Sequence, residues 1–271
     1  MSAPRIPQAS ATQANPGLPQ RVLYLGDRAG ASAMYLLGVM EKAGFPCEHR
    51  DHSEDPPEAL RTGNLEWDVV ILSDYPARRL GPEADRALAA AVAERRTGLI
   101  MFGGWESFTG HGGDYRDTAV AGVLPVRMGA GDDRRNIPGG LLLWPAVTSH
   151  PVVHGLNFRR PPVVVGCNAV IPRKTAQVLL QGHEVRLKSH GRTPVLETGA
   201  IRPLLVVGPS DGPRAAAFAT DPAPHWCGGL VDWGRARVTA GKVEVGEIYV
   251  ELLSRLVSWA AGRLRPVDRE E

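Results

Sequence analysis

Short runs of apolar residues, each cut off by glycine or an acidic residue, punctuate the first half of the chain. Val22-Leu23-Tyr24-Leu25 ends in Gly26-Asp27, and Leu99-Ile100-Met101-Phe102 ends in Gly103-Gly104. Between them, Trp67-Asp68-Val69-Val70-Ile71-Leu72 ends in Ser73-Asp74-Tyr75-Pro76. Near-continuous apolar runs of this length predict strands buried on both faces, because a half-exposed strand would alternate with polar residues. The intervening segments have a helical period. Met34, Leu37 and Met40 recur within Ala31–Ala43 before Gly44, and Pro82–Arg96 is Ala-rich with Pro at its start. Cys47–Arg50 predicts a weaker second strand.

Strands alternating with helices at this spacing imply right-handed crossovers, and therefore a parallel sheet covered on both faces. The predicted fold is a doubly wound, flavodoxin-like α/β sheet. Thr118–Leu124 reads as a short helix stopped by Pro125, and Gly129–Gly140 as a loop excursion. Strand-like runs resume at Val163–Val165, Ala176–Leu180, Leu204–Val207 and Ala215–Ala219. Asp211-Gly212, between the last two, is a hairpin turn signal, so added antiparallel strands are expected in the C-terminal half. Val245–Ala261 carries Ile248, Leu252, Leu256 and Trp259 on one stripe and predicts a closing amphipathic helix. Met1–Gln20 lacks apolar periodicity and Arg263–Glu271 is charged. Both read as tails around one domain, 21–262.

At 271 residues and 43% hydrophobic content the chain can bury one large core without staples. A net charge of +2, with acidic and basic residues interspersed, argues against nucleic acid as a partner. No apolar run nears the roughly 20 residues that span a bilayer, and the N-terminus lacks a signal-peptide pattern, so a cytoplasmic, membrane-free protein is expected. Three separated cysteines, Cys47, Cys167 and Cys227, predict free thiols. The histidines lack zinc-ligand spacing, so no metal is expected. Gly103-Gly104 and Gly110–Gly113 lack the Lys and Ser/Thr of a phosphate loop, so no nucleotide or other cofactor is expected either.

In open parallel sheets ligands bind beyond the carboxyl ends of the strands, where strand order reverses. That rule selects Asp27 and Arg28 after the first strand, His52 and Ser53 after the second, and Asp74 and Tyr75 after the third. It adds Gly103, Gly104, Trp105, Glu106 and Ser107 after the fourth, and Asp221, His225 and Trp226 after Ala215–Ala219. Glu106, Asp221 and His225 are the candidates for acid-base or nucleophilic work. Each has a plain structural alternative: a helix cap for Glu106, an Asx-turn for Asp221, a backbone-satisfied ring for His225.

Two blocks carry a resemblance. Phe102-Gly103-Gly104-Trp105-Glu106-Ser107-Phe108, followed by Gly112–Thr118 and Val123-Leu124-Pro125-Val126, resembles a signature of class I glutamine amidotransferase-like proteins. Phe218–Trp226, with Trp233 and a final helix ending in Ser258–Gly262, is similar to that group's C-terminal signature. The resemblance implies the flavodoxin-like fold and brings Tyr115 and Arg116 into the ligand-contacting set. In working members a Gly-x-Cys-x-Gly elbow supplies a cysteine nucleophile and a later His-Pro-Glu supplies its base. Here Trp105 falls at the cysteine position and Asp221-Pro222 near the His-Pro.

The expected function is therefore an amidotransferase-like domain without the usual nucleophile, binding a small polar molecule in the former active-site cleft through Asp27, Asp74, Gly103, Gly104, Trp105, Ser107, Tyr115, Arg116 and Trp226. Two alternatives stay open: a hydrolase or amide-transfer enzyme using Glu106, Asp221 and His225, and a structural subunit of a larger assembly. Self-association into a homo-oligomer is compatible with all three.

Overall fold

Burial on both faces decides the central strands, and their continuous apolar sequences satisfy it. The computed structural model describes residues 20–191 and 193–264. Strand β1 (Val22–Gly26) is buried throughout and leads into α1 (Ala33–Ala43), then β2 (Cys47–Arg50) and the one-turn α2 (Glu58–Arg61). The fully buried β3 (Val69–Ser73) precedes α3 (Ala77–Ala93), and the fully buried β4 (Gly98–Phe102) precedes α4 (Ala119–Val123). There follow β5 (Val126–Met128), β6 (Arg134–Pro145), β7 (Val163–Asn168) and β8 (Val170–Pro172). A long hairpin of β9 (Gln177–His190) and β10 (Thr193–Val207) leads to β11 (Ala215–Phe218) and α5 (Pro224–Val231). The short hairpin β12 (Arg237–Ala240) and β13 (Val243–Gly246) precedes the closing helix α6 (Glu247–Ala260).

The main sheet has nine strands in the order β2-β1-β3-β4-β11-β10-β9-β6-β7. β2, β1, β3, β4 and β11 are mutually parallel, and every later pair is antiparallel. The expected doubly wound α/β sheet with added antiparallel strands is therefore the observed fold. Because β1 connects outward to β2 on one side and to β3 on the other, strand order reverses between β1 and β3. Their carboxyl ends form the crevice in which such sheets receive ligands.

Several boundaries differ from the sequence reading. Gly129–Gly140 is not all loop, because β6 begins at Arg134. Its pairing with β7 jumps between Asn136 and Leu141, and this irregularity leaves no clean alternation in the sequence. α3 starts at Ala77 and kinks at Gly81, whose φ of 74° precedes Pro82, so the proline opens the second segment and not the helix. α6 starts at Glu247 because Val243–Gly246 is taken up by β13. Of the expected tails, Gln20, Arg263 and Leu264 lie among the described residues. Gln20 is buried and its amide Nε2 donates to Ser258 Oγ at 3.2 Å, while Arg263 pairs with Asp68 at 3.3 Å. The remainder, 1–19 and 265–271, lies outside the described residues. Among the described residues no helix is long and apolar enough to cross a membrane.

Candidate functional site

The site begins with two aspartates in an unusual backbone conformation. Asp27 and Asp74 follow β1 and β3 directly, and both adopt positive φ, 51° and 47°. Left-handed backbone is disfavoured for residues bearing a Cβ, though Asp tolerates it better than most. The strain is compatible with a tight joint: Asp27 N–H donates to the Ser73 carbonyl at 2.9 Å, tying the two strand tips together. Gly26, at φ 116°, makes that approach feasible, since a Cβ there would lie 1.7 Å from the Ser73 oxygen.

Asp74 is held from above by the turn after β4. Its Oδ1 accepts the Glu106 N–H at 2.8 Å, and the Trp105 amide also faces the carboxyl. Gly104 leaves the space for it, because a Cβ at that residue would meet Asp74 Oδ1 at 2.1 Å. Burial raises the Asp74 carboxyl to about 7, and the neighbouring Asp27 adds to the rise while the two amides oppose it. An acid titrating near neutrality in a cleft is suited to proton transfer.

Asp27 is only 4% exposed, and burial raises it as well. The Tyr24 hydroxyl donates to Asp27 Oδ2, opposing that rise. Asp221, after β11, is also buried and raised, first by desolvation and then by Asp27 and Asp74. Its Oδ1 accepts the Ala223 N–H at 2.7 Å, which is the Asx-turn geometry. The three aspartates thus sense one another through a low-dielectric region, although no hydrogen bond between them is present.

A cleft of about 360 Å³ opens over Asp27 and Asp74, lined also by Arg28, Ser32, His52, Trp105, Glu106 and His111. Glu106 pairs with Arg78 at 2.9 Å and does not cap a helix. Trp105 stands half exposed at the rim, at 48%. The Arg134 guanidinium lies 4.4 Å from its ring centroid, and its Nε1–H donates to His225 Nε2 at 3.3 Å. Arg134 is anchored in turn by Asp132 at 2.7 Å. The ring is therefore braced on two sides.

The other expected residues fall elsewhere. Ser107 is buried, and its Oγ accepts the Asp74 N–H at 2.9 Å, supporting the left-handed turn instead of facing the cleft. Tyr115 is buried and donates to the Tyr75 carbonyl at 2.6 Å. Arg116 lines a separate depression with Asp117, Arg127 and Arg173. Trp226 is buried against Gly166, with Nε1–H donating to Asn136 Oδ1 at 3.0 Å. Gly103 is enclosed by Ala219 and Asn168. Glu106 lines the cleft and His225 meets Trp105 at its rim, whereas Asp221 is buried and not among the lining residues, and no hydrogen bond joins the three.

Asp133 and Asn168 were not anticipated. Asn168 Oδ1 accepts the Gly104 N–H at 2.9 Å, and its Nδ2 donates to Asp133 Oδ1 at 2.8 Å. Asp133 Oδ2 accepts the Thr109 N–H at 3.0 Å. These two buried side chains brace the turn after β4 from the antiparallel half. Asn168 ends a strand whose first three residues were legible, so extending that run would have found it.

Cys227 is fully buried, its Sγ 3.0 Å from the Ala223 carbonyl, and desolvation pushes its thiol far up, with Asp221 adding to the effect. Cys47 and Cys167 are pushed up by burial to about 12 and about 11. All three are free, and thiols so placed are poor nucleophiles. Among the described residues no group of three or more His, Cys, Asp or Glu is arranged to hold a metal ion.

A family profile described as "Putative glutamine amidotransferase" matches residues 29–239. No curated protein matches the sequence. Among solved structures, the cytoplasmic protein STM3548 from Salmonella typhimurium is 25% identical, covering 88% of this chain and 98% of its own, with a TM-score of 0.67. The cytoplasmic protein STM1381 from Salmonella typhimurium LT2 is 24% identical over 76% of this chain and 90% of its own, with a TM-score of 0.61. A thua-like protein from Parabacteroides merdae is 14% identical over 93% of this chain and 94% of its own, with a TM-score of 0.58. The last two likenesses concern the fold alone.

Proposed function

Because the chain belongs to this glutamine amidotransferase-like family, we propose that it keeps the family's scaffold without the cysteine chemistry and binds a small polar molecule in the cleft over Asp27 and Asp74. The observation that carries this reading is the position of the cleft. It lies at the carboxyl ends of β1 and β3, where strand order reverses, and is walled by the two left-handed aspartates. Trp105 takes the place of the elbow cysteine, and a tryptophan cannot attack a carbonyl. The three cysteines the chain does have lie outside that turn, and the most buried, Cys227, is deeply protonated.

The lining sets the ligand's chemistry. Asp27, Asp74 and Glu106 face Arg28 and two histidines, and the braced Trp105 ring offers a flat apolar surface at the rim. A compact ligand with several hydrogen-bonding groups and one apolar face suits that set. Proton transfer to such a ligand falls to Asp74, which reaches the cleft and titrates near neutrality, with Glu106 and His225 holding the rim. Asp221, whose own carboxyl is raised by burial and then by Asp27 and Asp74, does not line the cleft. The description of the Salmonella relative as a cytoplasmic protein supports the same compartment here.

A thermal-shift panel of amino acids, their amides, sugars and sugar acids tests the proposal. A compound that raises the unfolding midpoint of the wild type, and loses at least tenfold in affinity in both Asp74→Asn and Glu106→Gln, supports it. Binding that is indifferent to both substitutions places the site elsewhere.

A further inference from the structure

The chain's large exposed apolar side chains are not scattered. Six of them, Trp144, Val163, Val165, Leu187, Leu196 and Ile201, belong to the four antiparallel strands β7, β6, β9 and β10. Strand register shows that they share a face. Residues directly opposite in an antiparallel pair project to the same side. Val163 pairs with Leu142, Leu142 with His183, and His183 with Ile201, giving one row across all four strands. Trp144 pairs with Gln181 and Gln181 with Pro203, and farther out Leu187 pairs with Leu196.

None of these rungs contains Asp, Glu, Lys or Arg, and their one histidine, His183, lies 2.9 Å from the Gln181 amide on the same face. The charges lie on the alternate positions: Glu184 pairs with Arg186 and Arg202, and Lys188 with Glu197. The opposite side of β7 is closed by α5, whose Trp226 packs on Gly166. The apolar side stays open: Leu187 and Leu196 are 70% and 71% exposed. Beyond the main body the β9–β10 hairpin runs on as a two-stranded ribbon, a form that is marginal in water without something packed on it. Contiguous exposed apolar surface of this kind marks an interface.

We propose that this face binds the same face of a second copy of the chain, making an isologous dimer. The size fits. At about 4.8 Å between strands and about 3.3 Å per residue, four strands over roughly eight residues cover on the order of 19 by 26 Å. That is about 500 Å² in projection, and side-chain relief brings it toward the ~800 Å² per partner of a standard interface. The charge pattern fits as well. A face whose rungs carry no Asp, Glu, Lys or Arg has no fixed charge to select an acidic or basic partner, and it meets its own copy without repulsion between such charges. The terminal helix does not compete for this role, since its apolar stripe is already buried.

Sedimentation velocity of the full chain across micromolar concentrations tests the proposal. The expected result is a species of twice the chain mass. The double variant Leu187→Glu, Leu196→Glu and the single variant Ile201→Glu should each raise the dissociation constant at least tenfold while circular dichroism and the unfolding midpoint stay those of the wild type. Should either variant misfold, hydrogen exchange of the wild type decides: amides of β9 and β10 should slow as concentration rises. A wild type that is monomeric throughout overturns the proposal. So does a dimer that survives both variants, exchange in β9 and β10 that ignores concentration, or a dimer that appears only when residues 1–19 are removed.

Discussion

Replacing Asp74 by Asn isolates the most consequential electrostatic feature of the cleft. The folded protein holds this carboxyl at about 7, against an ordinary value of 3.8. The protonated form is therefore the one the fold prefers. Its stabilisation is fully present below pH 3.8 and is lost as pH rises toward the folded value, since over that window the folded state binds more protons than the unfolded chain. A difference of about three units corresponds to a ceiling of ~4 kcal/mol at 1.36 kcal/mol per unit. Asp74 is not wholly enclosed, and solvent relaxes part of the penalty, so the working expectation is about 1–2 kcal/mol.

Asn keeps the oxygen that accepts the Glu106 N–H but never ionises. Its stability should match the wild type below pH 3.8 and exceed it by about 1–2 kcal/mol at pH about 8.5, with the gap opening as pH rises between 3.8 and about 7. Asp27 and Asp221 are raised in the same direction and steepen the wild-type curve; they persist in the variant, where Asp221 also loses the Asp74 charge that raises it, so the difference between the two curves reports Asp74 together with that coupling. Urea unfolding followed by circular dichroism at several pH values reads it. A difference that stays flat with pH, or a variant that loses stability relative to wild type as pH rises, would show that the fold does not raise the Asp74 carboxyl.

Three further outcomes follow from the same geometry. Ile100→Asp places a carboxylate in the fully buried β4 between β3 and β11, at a cost of several kcal/mol against a total of about 5–15, so soluble folded protein should not accumulate. Recovery of a cooperative unfolding transition from that variant would contradict the strand's burial. Glu106→Gln loses only a partly exposed pair with Arg78, worth under about 1 kcal/mol, so the midpoint should barely move while ligand affinity falls at least tenfold, about 1.4 kcal/mol. The cysteines, held up by burial, should react with a thiol reagent at pH 8 far more slowly in the folded protein than after denaturation, and fast labelling of Cys227 in the native state would show that its enclosure is misjudged.

The parallel half was legible because a strand buried on both faces must be written as a continuous apolar run, as Val69–Leu72 and Leu99–Phe102 are. The antiparallel half hides for the complementary reason. β9 and β10 extend far past their apolar cores, Gln177–Leu180 and Leu204–Val207, into a ribbon where charged and apolar residues alternate, as in Glu184–Lys188; that alternation is the weaker, half-exposed strand signal, and following it would have lengthened β9. In the site, the strand-end rule recovers Asp27 and Asp74, since they depend only on where β1 and β3 stop. It does not foresee that Ser107, Tyr115 and Trp226 would turn inward to support the backbone. Nor does it reach Asn168 from the three residues of β7 that were legible, and it gives no hint of Asp133; their brace forms where β7 returns to the end of β11, with Asn168 N–H meeting the Ala219 carbonyl at 2.8 Å.

We propose that this amidotransferase-like scaffold works through its strand-end carboxyl cleft and not through a cysteine, and ammonia release from glutamine by the purified full chain decides between the two. The expected result is no release above the background of buffer, unchanged in Cys47→Ala, Cys167→Ala and Cys227→Ala variants. Sustained turnover that a single one of those substitutions abolishes would contradict it.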